Sequence, residues 1–460
     1  MMEAITTTLR DSKTARWTAL ALVSFTMLCG YYLADVMAPL KPLLEKELLW
    51  NSAEYGIFTS AYGWFNVFLL MLILGGIILD KMGVRFTGKM ATITMIAGTA
   101  IKYWAISTHM LDNSVILGIK AQVLIAGLGF AIFGVGVEVA GISVSKIIVK
   151  WFKGKELALA MGLEMATARL GTALALSTSV PIAAAFGKVS APVLVCLIML
   201  VIGMISFLVY TVMDRKLELS EAEEASGDLA EAEESFRFSD ILFIIRNKGW
   251  WLIAILCVLF YSSVFPFLKY ASDLMVNKFG VKESVAGIIP GLLPFGTILL
   301  TPLFGNIYDR RGKGATIMII GALLLILVHT LFSIPFLNQT PVAIVLIVIL
   351  GIGFSLVPSA MWPSVPKIIP EKQLGTAYAL IFWVQNMGLM GVPALIGWVL
   401  NKYCITGTRL VDGVEVSSYN YTLPMIIFTG FGILALVFAL LLKAEDRKKG
   451  YGLELPNIKK

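Results

Sequence analysis

Apolar residues along the 460-residue chain come in runs of twenty or more, separated by short polar stretches. Each run is long enough to cross a hydrocarbon core of about 30 Å at about 1.5 Å of helix rise per residue. The runs predict spans near 17–39, 55–79, 86–108, 113–146, 156–186 and 189–213. A second set follows near 249–276, 284–308, 315–336, 341–367, 373–400 and 422–443. The pattern therefore predicts an all-α membrane protein with twelve transmembrane helices in two six-helix halves, 1–213 and 249–460, joined by a linker at 214–248. That linker is acidic, rich in Ala and Ser and poor in large apolar residues, so it reads as solvated and in part helical.

Composition agrees: 58% of residues are hydrophobic and 15% charged, against about a quarter charged in a soluble domain. The net charge of +7 does not point to nucleic acid, because Lys and Arg sit in short loops. Arg10, Lys13 and Arg16 precede the first span. Lys81, Arg85 and Lys89 follow the second, and Lys150, Lys153 and Lys155 the fourth. Arg310, Arg311 and Lys313 follow the eighth, and Lys443 with Arg447–Lys449 the twelfth. All fall on one side of a twelve-span chain, which predicts cytoplasmic termini. Cys29, Cys196, Cys257 and Cys404 have no metal-ligand spacing, so neither a metal site nor a disulfide framework is expected. The polar start of the chain lacks a signal-peptide core, so the first span is expected to be retained. Two Asn-x-Thr triplets, at Asn338 and Asn420, fall in loops opposite the termini.

An internal repeat supports the two halves. Gly76, Asp80, Lys81, Gly83 and Arg85 follow the second span, and Gly305, Asp309, Arg310, Arg311 and Gly312 follow the eighth. The first Gly of each copy suits close helix approach, the second a tight turn, and the acid lies among cations it can pair with. This pattern resembles the signature loop of the major facilitator superfamily. The resemblance implies two halves that rock around a site near the midplane, with Asp80, Arg85, Asp309 and Arg310 as gating residues.

Ionisable groups at membrane depth are functional candidates because they are costly to place there. Glu138 lies deep in the fourth span beside glycines, and Glu164 and Arg169 lie in the fifth. Glu164 and Arg169 are five residues apart, about 140° around a helix, so each needs a partner elsewhere. A Glu138–Arg169 pair is the preferred one. A carboxylate and a guanidinium in one cavity suit the ammonium and carboxylate of a zwitterion; the alternative is a structural salt bridge. Glu164 and Asp35 are candidates for proton coupling. Lys102 and Lys120, near span ends, are expected to snorkel to the interface. Lys269 and Asp273 are expected to be interfacial too, and His329 to be a packing residue. The second half offers aromatics and helix breakers instead: Tyr261, Phe265 and Pro266, then Pro358, Trp362, Pro363 and Pro366, then Trp383, Gln385 and Asn386. Trp362 is the aromatic chosen as a ligand contact.

A closer resemblance, to the lysosomal dipeptide uniporters of that superfamily, rests on Trp151–Leu157, Ala168–Gly171, Val264–Phe267, Trp362-Pro363, Gln373–Tyr378 and Gln385–Gly388. Tyr62, Trp64, Asn66 and Val67 fit it too. It implies that Glu138 and Arg169 hold the two peptide termini, and it places Trp64, Asn66, Tyr261, Gln385 and Asn386 among the substrate-binding candidates. Phe130 stands where the superfamily commonly has Arg, and Glu164 where the mammalian relative has a neutral amide, so proton coupling competes with uniport. The short N-terminal tail carries no acidic dileucine signal, which favours a bacterial plasma membrane over a lysosomal one. The expected activity is secondary transport of di- or short peptides by a monomer in the bilayer, with protons as a candidate second passenger. No enzymatic chemistry, cofactor or nucleic acid is expected. An organic-anion carrier using Arg169 alone is the alternative, and a non-transporting solute sensor a more distant one.

Overall fold

The computed structural model describes residues 9–112, 114–152, 155–224, 238–370, 373–411 and 414–458. Lys153 and linker residues 225–237 lie outside the described residues. The first half holds α1 (Lys13–Asp35), α2 (Lys41–Glu47), α3 (Ser52–Ser60), α4 (Trp64–Phe68), α5 (Met71–Ser107), α6 (Ala121–Phe152), α7 (Leu157–Phe186) and α8 (Ala191–Glu224). A short hairpin, β1 (Val115–Ile116) with β2 (Ile119–Lys120), precedes α6. After α9 (Phe238–Ile245), the second half holds α10 (Lys248–Phe279), α11 (Ile288–Arg311), α12 (Gly314–Ser333), α13 (Thr340–Ile368), α14 (Leu374–Tyr403) and α15 (Thr422–Lys449). The hairpin β3 (Ile405–Val411) and β4 (Val414–Tyr419) joins α14 to α15.

Among the described residues, ten helices are each long and apolar enough to span, and a bent unit made of α3, α4 and α5 supplies the rest. Leu70 is left-handed (φ 53°, ψ 34°) and breaks the second span before α5, with a bend of 55°. Gly83, at φ 74°, then turns the chain inside α5, so α5 carries the end of the second span and all of the third. Gly312 does the same between α11 and α12, at φ 68°. These are the two turn glycines of the sequence repeat, and both use the positive-φ region that other residues avoid. Twelve spans in two six-helix halves result.

Outward-facing side chains are those lipid would solvate. Ile198, Ile202, Ile205 and Val209 of α8 are exposed along one stripe, as are Ile426, Ile433, Val437 and Leu441 of α15. A soluble monomer does not expose apolar patches this large.

Where the halves meet, glycine sets the distance. A Cβ on Gly397 of α14 would lie 2.4 Å from the Ser52 carbonyl and 2.7 Å from the Gly56 Cα of α3. A Cβ on Gly287, at the head of α11, would lie 2.0 Å from the Leu176 carbonyl of α7. Both crossings lie towards the face opposite the chain termini. Gly76 and Gly305, expected to admit a neighbouring helix, have no foreign atom within 4 Å of a Cβ position; the close approach is made by Gly56, Gly287 and Gly397 instead. The linker also begins later than its composition suggests, because α8 runs on to Glu224.

Gly397→Ala should lower the unfolding temperature of the purified protein by the cost of overpacking, about 1–3 kcal/mol. Gly391→Ala, on the same helix with nothing within 4 Å, should leave it unchanged or slightly raised by helix propensity. Static light scattering on heating or a tryptophan melt distinguishes them.

Candidate functional site

The charged residues of the first half are placed by backbone contact. Gly134 of α6 lets the Tyr62 backbone, between α3 and α4, come within 2.3 Å of where a Cβ would stand. That contact sets Tyr62 one turn from Glu138, and its hydroxyl donates to Glu138 Oε1 at 2.7 Å. Asn386 of α14 lies close to Glu138, but its amide nitrogen donates to the Phe382 carbonyl at 3.0 Å.

Arg169 of α7 does not pair with Glu138. Its guanidinium carbon lies 5.3 Å from the ring centroids of both Phe265 and Phe354, and 5.9 Å from that of Tyr31. The preferred ion pair is therefore corrected: Tyr62 occupies the carboxylate, and ring faces attract the cation through their quadrupoles. Glu138, Arg169 and Glu164 are all half-buried, as suits side chains lining a space between helices. Tyr31 of α1 lies within electrostatic reach of Arg169, Glu138, Glu164 and Asp35, so it marks where these charges converge.

The second half faces them with an aromatic wall. Phe354 of α13 is in edge contact with Tyr261 and Phe265 of α10, at centroid distances of 5.7 and 5.4 Å. The Trp362 indole donates to the Tyr261 hydroxyl at 3.1 Å, and its ring lies 5.0 Å from Phe382. Asn386 and Gln385 are buried in α14, the latter accepting from the Cys257 thiol at 3.5 Å. Trp64 stands apart: its ring rests on Gly127 and lines an exposed groove with Phe65, Phe68 and Leu69. Asn66 is fully buried, with neither amide atom hydrogen-bonded.

Ion pairs tie the halves together at the face opposite the termini. Lys269 of α10 donates to Asp35 at 2.6 Å and to the Ala34 carbonyl at 2.7 Å, both on α1. Lys41 of α2, fully buried, lies 2.9 Å from Asp273 of α10 and 2.7 Å from Glu45. Tyr421 donates to the same Asp273 and Tyr419 to Glu45. Burial opposes the Lys41 charge, but Asp273 and Glu45 outweigh it and hold the ammonium above the usual lysine range. Lys269 and Asp273 are thus seam residues and not interfacial ones. Lys102 is a second correction: it is fully buried between the rings of Phe58 and Phe130, at 5.2 and 4.5 Å, and does not reach the interface. Lys120 behaves as expected, reaching loop carbonyls at Leu48 and Leu49. His329 is a packing residue, bonded to the Ser263 carbonyl at 2.9 Å between Phe267 and Phe428.

On the terminal face, the polar contacts seen among the described residues stay within each half. Asp80 pairs with Lys146 at 3.2 Å. Arg85 and Lys150 converge on Asp214 and Glu218 of the extended α8. Asp309 accepts from the Asn457 amide at 2.7 Å, and Arg310 is exposed. Among the described residues, the hydrogen bond between the halves nearest this face runs from the Trp383 indole to the Val67 carbonyl, at 3.0 Å.

A bundle of two six-helix halves, joined at one face and enclosing opposite charges near mid-depth, defines a membrane transporter. The Major Facilitator Superfamily matches residues 20–393 and 270–455, and the chain belongs to that family. The lysosomal dipeptide transporter MFSD1 of Mus musculus is 26% identical over 402 residues, covering 84% of this chain and 80% of its own. Its counterpart in Homo sapiens is 26% identical over 399 residues, covering 84% and 80%. A bacterial homologue of the human lysosomal transporter Spinster, solved inward-facing and unoccupied, superposes with a TM-score of 0.69 at 15% identity, covering 98% of this chain and 99% of its own.

Lys41→Met should strand Asp273 and Glu45 in the seam. Breaking a buried pair on one side costs about 3–5 kcal/mol, so the melting temperature should fall well below that of the wild type. An unchanged melt would show that the pair does not hold the seam.

Proposed function

We propose that the protein moves a small zwitterionic solute, di- or short peptides fitting best, across the membrane by alternating access. One observation carries this reading: Glu138 and Arg169, opposite charges on adjoining helices of one half, stay unpaired with each other. Unpaired charge at membrane depth is costly, and a ligand with an ammonium at one end and a carboxylate at the other would answer both. The carboxylate would take the Arg169 fork, lifting it from Phe265 and Phe354. The ammonium would take Glu138 beside Tyr62 and Asn386. Trp362, Tyr261 and Gln385 would border the side-chain pocket. Trp64, which lines a separate groove, and Asn66, whose buried amide is without a hydrogen bond, remain the further substrate-binding candidates.

Both termini are taken as cytoplasmic, with six-helix units 1–213 and 249–460 rocking about the linker. The seam through Lys269 and Lys41 then closes the outer side, and the present state faces inward. In the opposite state, Asp80, Arg85, Asp309 and Arg310 would brace the inner side. A bacterial plasma membrane is our first choice of location; the lysosomal naming of the mammalian relatives supports the alternative. A monomer suffices, and the mechanism draws on no cofactor or enzymatic step. Glu164, and Asp35 once released from Lys269, are the proton-coupling candidates.

An organic-anion carrier is the second reading, because Arg169 alone is seated on aromatic faces while Glu138 already has a hydrogen-bond donor. A probable anion transporter of Oryza sativa subsp. japonica is 25% identical over 222 residues, covering 48% of this chain and 33% of its own.

Proteoliposome uptake of a labelled dipeptide tests the proposal. Wild-type uptake should saturate, Arg169→Ala and Glu138→Gln should each cut it by at least about tenfold, and Tyr62→Phe by less, as one hydrogen bond is worth about 1 kcal/mol. Full activity in Arg169→Ala would sink the assigned site. Anion uptake that tolerates Glu138→Gln would favour the second reading. A pH gradient should accelerate uptake only if protons are coupled, and Glu164→Gln should then abolish the acceleration.

A further inference from the structure

The second span is broken at a place that the transport site leaves unused. Its outer part, α3 and α4, follows α14 of the other half. A Cβ on Gly56 would lie 3.0 Å from the Gly397 Cα, and one on Gly63 would lie 2.8 Å from the Met390 Cβ. Its inner part, the start of α5, packs on α6 of its own half, where a Cβ on Gly75 would lie 2.5 Å from Val139 Cγ2. Leu70 divides the two, left-handed at φ 53° and ψ 34°, and the bend of 55° carries the inner part off the line that follows α14. A non-glycine residue avoids that conformation unless its surroundings hold it there.

The hydrogen bonds around the break show what holds it. Leu69 closes α4 by donating to the Phe65 carbonyl at 3.1 Å, and the ladder resumes with Ile73 and Leu74 donating to the Leu70 carbonyl at 3.0 and 3.1 Å. A continuous helix would run a bond from the Met71 N–H to the Val67 carbonyl; among the described residues that bond is missing. The Val67 carbonyl accepts instead from the Trp383 indole of α14, at 3.0 Å. The Met71 N–H is left at the open head of α5, where first-turn donors have no intrahelical partner. One acceptor thus has two donors to choose between. The indole of the other half holds it now, and a straight helix would bring it the N–H four residues along its own span. At membrane depth an unanswered backbone group is costly, so the carbonyl has reason to change partner without ever being free.

We propose that Leu70 and Trp383 form a two-state latch in the second span. With the indole on Val67, the span is bent and the terminal face is open. With the Met71 N–H on Val67, Leu70 turns helical, the span straightens along α14 and the terminal face closes. The bond across the halves compensates the strain at Leu70 in the first state, and both are given up together in the second. The latch rests on the alternating-access reading and is independent of what is carried.

Spin labels on cysteines introduced at Met82, at the inner end of the second span, and Gly375, at the head of α14, report the state by double electron–electron resonance. Both positions are exposed, and nothing lies within 4 Å of a Cβ on Gly375. In wild-type protein in lipid nanodiscs, a long and a short distance should both be populated. Leu70→Gly and Leu70→Ala both remove an exposed side chain but differ in backbone preference: Gly accepts the left-handed turn and disfavours helix, and Ala does the reverse. The long-to-short ratio should therefore be at least about tenfold higher in Leu70→Gly than in Leu70→Ala. Trp383→Phe, which keeps a ring and loses the donor, should lower the ratio about threefold or more. Trp383→Met supplies the same comparison if the Phe variant does not fold. Equal ratios in Leu70→Gly and Leu70→Ala, with both distances present, would overturn the latch while leaving alternating access standing. A ratio unchanged or raised by loss of the Trp383 donor would also overturn it, by showing that the indole does not hold the bend. A single distance shared by the wild type and every variant would overturn both.

Discussion

Every charge at membrane depth has to be answered by an opposite charge, a ring face, a hydrogen-bond donor or water, and this chain uses the first three in different places. Ion pairs across the seam, Lys269 with Asp35 and Lys41 with Asp273, are spent on holding the two halves together. Ring faces and a tyrosine hydroxyl are used inside the enclosure, at Arg169 and Glu138. The distinction is energetic. A buried ion pair with good geometry resists separation, because breaking it strands a charge. A cation on a ring or a carboxylate on one hydroxyl can exchange that partner for a ligand at modest cost.

The fold makes this division by geometry. Glycines at 56, 287 and 397 bring backbones together at one face, and the seam charges lie there. Further in, Gly134 presses Tyr62 against α6 and so fixes the donor to Glu138. Towards the terminal face, Asp80, Asp214 and Asp309 find partners within their own halves. Among the described residues, the ion pairs between the halves thus lie at one face, an asymmetry that the proposed alternating access would use.

Much of this was legible in the sequence. Runs of apolar residues gave the spans, and the paired Gly83 and Gly312 turns appear where the repeat put them. Charge in the first half facing aromatics in the second was also visible from Glu138, Arg169, Tyr261 and Trp362. What remained hidden depends on which helix faces which. Tyr62 and Tyr31 look like ordinary span aromatics until Gly134 and α7 are placed beside them. Phe354 carries no polar signal at all, yet it seats Arg169. Lys102 and Lys269 lie near span ends, where lysines usually snorkel; only packing by Gly129 and the approach of the other half show that they cannot. The break at Leu70 had no Gly or Pro to announce it, and α8 continues past its apolar run because Asp214 is held by Lys150, Trp151 and Tyr210.

The central claim is that two separated charges recognise the two termini of one small zwitterion. Binding of a dipeptide to the purified protein, measured by calorimetry beside its N-acetylated and C-amidated forms, tests this most directly. Each cap alone should weaken binding by at least about tenfold, since each leaves one charge of the site without its counterion. Equal affinity for the free and doubly capped peptides would contradict it.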